Sequence, residues 1–127
     1  LADSGMADSA TGTADANSFA IGIFANGASG VDNTGDISTA ATAGTADANS
    51  LAAANVRAAG VFSEYSAAVT NSGVIGVNAV AGTADANDQA SAYGEAAGVY
   101  TLGAITNTGA VDVNVAGCDW GHPRKYL

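Results

Sequence analysis

The sequence predicts an all-β fold, a parallel β-helix (β-solenoid) built from three tandem imperfect repeats, and three observations carry that expectation. The hexapeptide Gly-Thr-Ala-Asp-Ala-Asn occurs at Gly12–Asn17, Gly44–Asn49 and Gly82–Asn87, and self-similarity at periods of a few tens of residues marks repeat architectures. Each copy is followed, in fixed order, by Gly22-Ile23-Phe24, Gly60-Val61-Phe62 or Gly98-Val99-Tyr100, and then by Asn33-Thr34-Gly35, Asn71-Ser72-Gly73 or Asn107-Thr108-Gly109. Beyond these Asn-x-Gly turns, Ile75, Val77, Ala79 and Ala81 are spaced by two, as are Val111, Val113 and Val115. That is the period of a strand with one buried face.

The repeat array covers residues 1–117, with units of about 12–43, 44–81 and 82–117. A partial unit precedes them, in which Asp3-Ser4-Gly5 reads as a degraded turn. The hexapeptides start at 12, 44 and 82, giving periods of 32 and 38. The first unit therefore lacks six residues before its Gly-Ile-Phe, which reads as a shortened surface connector. Residues 118–127 hold the only Cys, Trp, His and Pro and read as a non-repeat tail. The array reads as a slice of a longer one.

Within each hexapeptide, alternation places the two Ala on one face and Thr, Asp and Asn on the other. Small Ala suits a narrow interior, and the polar face is expected to stack as a ladder of Thr13, Asn17, Thr45, Asn49, Thr83 and Asn87, with side-chain amide bonds along the Asn column. The turns Asn33, Gly35, Asn71, Gly73, Asn107 and Gly109 supply residues that tolerate positive φ. Ala-rich Ser50–Ala59 is the one stretch with helical character; glycines elsewhere cost about 1 kcal/mol each inside a helix, and strand is expected here too. A unit of 38 reads most simply as two coils of about 19 residues, so residues 1–117 give roughly six coils and a rod on the order of 30 Å at an interstrand spacing of ~4.8 Å.

Composition bounds the chemistry. Leu, Ile, Val and Phe number 23 of 127 residues and the net charge is −9, which on composition alone leans toward disorder; the strict alternation after each turn argues for order. Nucleic acid is not an expected partner, because phosphate binding needs a basic patch. No apolar run approaches membrane-spanning length, so no transmembrane segment is expected. Asp15, Asp47 and Asp85, in the recurring Asp-x-Asn, are the calcium candidates, since calcium takes oxygen ligands. The glycine-rich calcium nonapeptide is absent, so no cofactor is expected, with calcium the alternative. Cys118 and His122 offer two zinc ligands where a structural site needs four. The single His lies in the tail and Arg57 is the one base among residues 1–117, so no catalytic constellation forms and no enzyme is expected.

The runs Val69-Thr70-Asn71-Ser72-Gly73-Val74-Ile75-Gly76-Val77-Asn78-Ala79 and Ala96-Ala97-Gly98-Val99-Tyr100 resemble repeats in the Ala/Gly/Asn-rich passenger regions of Gram-negative autotransporter and adhesin-like surface proteins. The resemblance covers nearly all of residues 12–117; the tail departs from it. It implies a β-helical stalk that is exported and displayed extracellularly or at the outer cell surface. The expected role is a structural stalk or adhesin-like passenger segment without catalytic activity. Its partners would be a host or matrix surface, or other copies of itself through end-to-end or lateral association. The alternatives are a self-assembling subunit of an extracellular filament and an ice- or mineral-binding solenoid.

Overall fold

In the computed structural model of the chain, residues 2–27, 30–117 and 124–126 are described. Among them every regular element is a strand. In chain order these are β1 (Ala2–Ser4), β2 (Ala7–Ser9), β3 (Thr13–Asp15), β4 (Ser18–Ala25), β5 (Val31–Asn33), β6 (Asp36–Ala43), β7 (Ala46–Ala48) and β8 (Leu51–Ser63). There follow β9 (Val69–Asn71), β10 (Val74–Val80), β11 (Ala84–Ala86), β12 (Gln89–Tyr100), β13 (Ile105–Asn107), β14 (Ala110–Ala116) and β15 (Arg124–Tyr126). The Ala-rich stretch from Leu51 is extended: side chains at Ala52, Ala54 and Val56 are buried while their neighbours are not, and that period of two decides against helix despite the propensity of Ala.

The strands make four separate sheets, and every pairing is parallel. Sheet I holds β1, β6, β10 and β14; sheet II holds β2, β7 and β11; sheet III holds β3, β4, β8, β12 and β15; sheet IV holds β5, β9 and β13. From β1 to β14 the chain visits the sheets in the cycle I, II, III, IV and then begins again. Register partners lie 38 residues apart between β6 and β10 (Ile75↔Ile37) and between β8 and β12 (Val99↔Val61), and 36 apart between β10 and β14 (Val77↔Val113).

One pass therefore takes a whole unit, and the expectation of two 19-residue coils per unit is wrong. The Gly-Val-Phe strand and the alternating strand after the turn lie in different sheets of the same pass, so neither closes a circuit alone. With about three passes at ~4.8 Å each, the stack is on the order of 15 Å deep, half the expected length.

The core is narrow because the residues facing each other are unequal. Sheet I contributes Ile75, Val77 and Ala79, all buried; sheet III contributes Ala52, Ala54, Val56, Ala58 and Val61. Opposite the column Ile37–Ile75–Val111 stands a column of glycines. A Cβ at Gly60 would overlap Cγ2 of Ile75, one at Gly98 would overlap Cγ1 of Val111, and one at Gly22 would lie 2.6 Å from Cγ2 of Ile37. Alternation also breaks here. The register runs Ile21↔Ala59, then Ile23↔Val61, and likewise Ala97↔Ala59, then Val99↔Val61, skipping the glycines. Gly60 and Val61 both turn inward, so Ala59 and Phe62 face out. An extra inward residue of this kind bends a strand, as a bulge does.

The turn glycines have a different reason from the one expected. Among the described residues positive φ occurs at Gly12, Gly27 and Gly117, and Gly35, Gly73 and Gly109 are not among them. What requires glycine at Gly73 and Gly109 is close approach along the stack: a Cβ at Gly73 would overlap the carbonyl of Gly35, and one at Gly109 that of Gly73. The turns hydrogen-bond to each other, Ser72 N–H donating to Asn33 O and Thr108 N–H to Asn71 O, each at 2.8 Å.

Asp3-Ser4-Gly5 is not a turn remnant. Ala2–Ser4 pair with Ala41–Ala43, and Gly5 lies under Gly44, whose N–H donates to Ser4 Oγ at 3.0 Å. In the tail, β15 pairs with Glu95–Ala97 of β12; Cys118 and His122 lie outside the described residues.

Candidate functional site

The three hexapeptides do not stack as a set. Ala84-Asp85-Ala86 lies in register with Ala46-Asp47-Ala48, and beneath the latter sits Ala7-Asp8-Ser9, not Ala14-Asp15-Ala16. The first hexapeptide has moved along the pass into sheet III, where Thr13 pairs with Leu51 and Asp15 with Ala53. No connector is shortened: Gly5-Met6-Ala7-Asp8-Ser9-Ala10 takes the place under Gly44–Asn49, and Gly12–Asn17 fills the place that Ser50–Asn55 occupies one pass later.

The expected polar ladder is corrected accordingly. Asn87 Nδ2 donates to Asn49 Oδ1 at 2.6 Å, whereas Asn17 Oδ1 accepts from Asn55 Nδ2 at 3.0 Å. Thr45 and Thr83 share a column, with Ala46 N–H donating to Thr83 O at 2.8 Å, and Thr13 stands apart from them. The inner Ala of the hexapeptides point to the core: Ala14, Ala16, Ala46 and Ala48 are buried, Ala84 and Ala86 half-buried.

Of the three calcium candidates, Asp47 and Asp85 are register neighbours and Asp15 is not; the third carboxylate of the column belongs to Asp8. All four are exposed. Among the described residues no group of three or more His, Cys, Asp or Glu side chains is arranged to hold a metal ion. Like charges facing each other across paired strands destabilise the pairing, and this column is a stack of them.

The Asn of the three turns do form a column. Asn33 Nδ2 donates to Asn71 Oδ1, and Asn71 Nδ2 to Asn107 Oδ1, both at 2.7 Å. Asn71 is fully buried and Asn33 nearly so. Asn71 Nδ2 also reaches Gly73 O at 3.3 Å, while Asn33 Oδ1 accepts from Gly35 N–H at 3.3 Å. A further amide contact joins Asn114 Nδ2 to Asn78 Oδ1 at 2.7 Å on the outer face of sheet I.

The outer face of sheet III carries what letter-matching missed. Phe24, Phe62 and Tyr100 stack into one column, ring centroids 5.8 and 5.0 Å apart and planes within 10° and 6° of parallel. A parallel column is formed by Phe19, Arg57 and Glu95. Arg57 Nε lies 2.9 Å from Glu95 Oε2, to which Tyr93 OH donates at 3.4 Å. Between the two columns lie Ala59 and Ala97, outward-facing yet only 5% and 7% exposed. They floor a groove of about 290 Å³ walled by Phe19, Arg57, Glu95, Phe62 and Tyr100. The aromatic column follows from the recurring Gly-x-aromatic; the other wall joins three unlike residues, and repetition gives no signal for it.

Among the described residues no helix is long and apolar enough to cross a membrane. Compared with protein-family models, with curated proteins and with solved structures, the chain matches none of them.

Proposed function

We propose that this chain is a non-catalytic segment of a β-solenoid stalk, of the adhesin-like passenger kind that its repeats resemble, working outside the cell or at its outer surface by reach and display. One observation carries the reading. The chain passes through four sheets in a constant cycle, and matching positions of successive passes become spatial neighbours. Stability in such an array is a sum of unit and nearest-neighbour terms, so length can grow without new long-range design. The surface fits reach better than chemistry: acids at Asp8, Asp32, Asp36, Asp47, Asp85, Asp88 and Asp112 are exposed on several faces, which favours solubility of an extended body.

Inserting extra copies of residues 44–81 after residue 81 tests the proposal. Small-angle scattering should show the dimension along the stack rising by ~4.8 Å per copy while the cross-section perpendicular to it stays constant. A cross-section that swells with each copy would rule out the stalk. Growth of the parent chain into long rods at rising concentration would move the reading to a self-assembling filament.

A further inference from the structure

The groove on sheet III and the aromatic ridge beside it are self-complementary, and from them we infer that two copies of this chain pair laterally, each ridge seated in the other's groove. This goes beyond the stalk reading, which requires only stacking along one chain. The floor, Ala59 and Ala97, is shielded on a face that points away from the core. The ridge, Phe24–Phe62–Tyr100, runs parallel to it and immediately beside it, since both are columns of the same in-register strands. A two-fold axis parallel to the two columns, lying in the interface midway between ridge and groove, seats each on the partner's other feature. That is the isologous arrangement of a closed dimer, in which one patch serves both copies.

Charge selects the same face. Across Phe19–Ala25, Arg57–Ser63 and Glu95–Tyr100 the charged residues are Arg57 and Glu95, and they neutralise one another at 2.9 Å. The exposed Asp side chains of sheets I, II and IV would set two copies of a chain of net charge −9 against each other on those faces. The patch those three segments form is where like molecules meet without that repulsion; the exposed Asp15 of sheet III lies in β3, outside it. The patch also bears three exposed rings, Phe19 at 57%, Phe24 at 50% and Tyr100 at 47%, with Tyr65 between β8 and β9 a fourth outside it. Exposed apolar surface gathered on one face of a soluble chain marks an interaction site. The rings stack face to face along the column, so their edges are what they offer sideways. Edges pack against methyl groups such as the partner's Ala59 and Ala97, and need no free ring face.

The test is the mass of the chain in solution across a hundredfold concentration range, by sedimentation velocity under reducing conditions so that Cys118 forms no link between chains. The parent should pass from one-chain to two-chain mass and stop there. Ala59→Lys and Ala97→Lys fill the groove from outside the core, and each should weaken the dimer at least tenfold while the far-ultraviolet circular dichroism stays that of the parent. Ser38→Lys, on the exposed face of sheet I, should leave the dimer as it is. Should both floor variants lose the parent spectrum, Tyr100→Ser at the exposed rim decides the matter by the same tenfold criterion. A parent that stays monomeric throughout, grows beyond two chains, or dimerises equally well with the groove or rim altered overturns the inference. The stalk reading is decided separately by the scattering of the lengthened arrays.

Discussion

Asn33 and Asn71, 38 residues apart, share a buried hydrogen bond of 2.7 Å between side-chain amides. Asn71 passes the pattern on to Asn107, so one side chain serves two neighbours. Replacing Asn71 with Ala strips the donor from Asn107 and the acceptor from Asn33, whose amide stays buried. Leaving a buried polar group unpaired costs about 1–3 kcal/mol, so Asn71→Ala should lower unfolding stability by about 2–3 kcal/mol in a urea titration. Asn107 is exposed at its end of the column. Asn107→Ala should cost less than about 1 kcal/mol, as for an ordinary hydrogen bond.

Gly60 and Ile75 occupy one piece of space from opposite sheets. Gly60→Ala should therefore destabilise by about 1–3 kcal/mol, the usual cost of overpacking. Gly76→Ala, where the nearest atom to a new Cβ is Ile37 O at 3.9 Å, should be neutral or gain up to about 1 kcal/mol from the unfolded state. Combining Gly60→Ala with Ile75→Ala should cost less than the two single changes added. Strict additivity would mean that the two residues do not touch.

Thr39 stands where the next two passes place Val77 and Val113. Its hydroxyl is buried without a hydrogen-bond partner. Thr39→Val keeps the shape and removes the orphan, so stability should rise by about 1 kcal/mol. A loss on the same titration would mean that the hydroxyl is satisfied.

Asp47 lies between Asp8 and Asp85 in one exposed column, while Asp15 faces Ala53. Asp47→Asn should stabilise by about 0.2–1 kcal/mol at low salt, the size of a like-charge cross-strand pair, and the gain should shrink as salt screens the column. Asp15→Asn should change stability by less. Equal gains at both positions would restore the ladder of matching hexapeptides.

The strands were legible in the sequence because side-chain period survives any arrangement of passes: Ile75, Val77 and Ala79 had to share a face. How many strands complete a pass was not, since period says nothing of how many sheets the chain must cross before it meets itself. The displaced first hexapeptide shows the limit of matching letters. Met6-Ala7-Asp8-Ser9 keeps only Ala-Asp of the motif, yet its position below Ala46–Ala48 is fixed by register. A signal was available in the spacings. Gly22, Gly60 and Gly98 recur at 38 and 38, and Asn33, Asn71 and Asn107 at 38 and 36, while the hexapeptides recur at 32 and 38; the odd interval belonged to the motif. The groove was illegible for another reason, as Phe19, Arg57 and Glu95 become a wall only once the pass length is known.

Nuclear Overhauser contacts between backbone protons in isotope-labelled chain test the stacking of whole passes most directly. The arrangement predicts cross-strand contacts between Val61 and Val99, Ile37 and Ile75, and Thr13 and Leu51. A network that instead links residues about 19 apart, or ties Thr13 to Thr45, would contradict it.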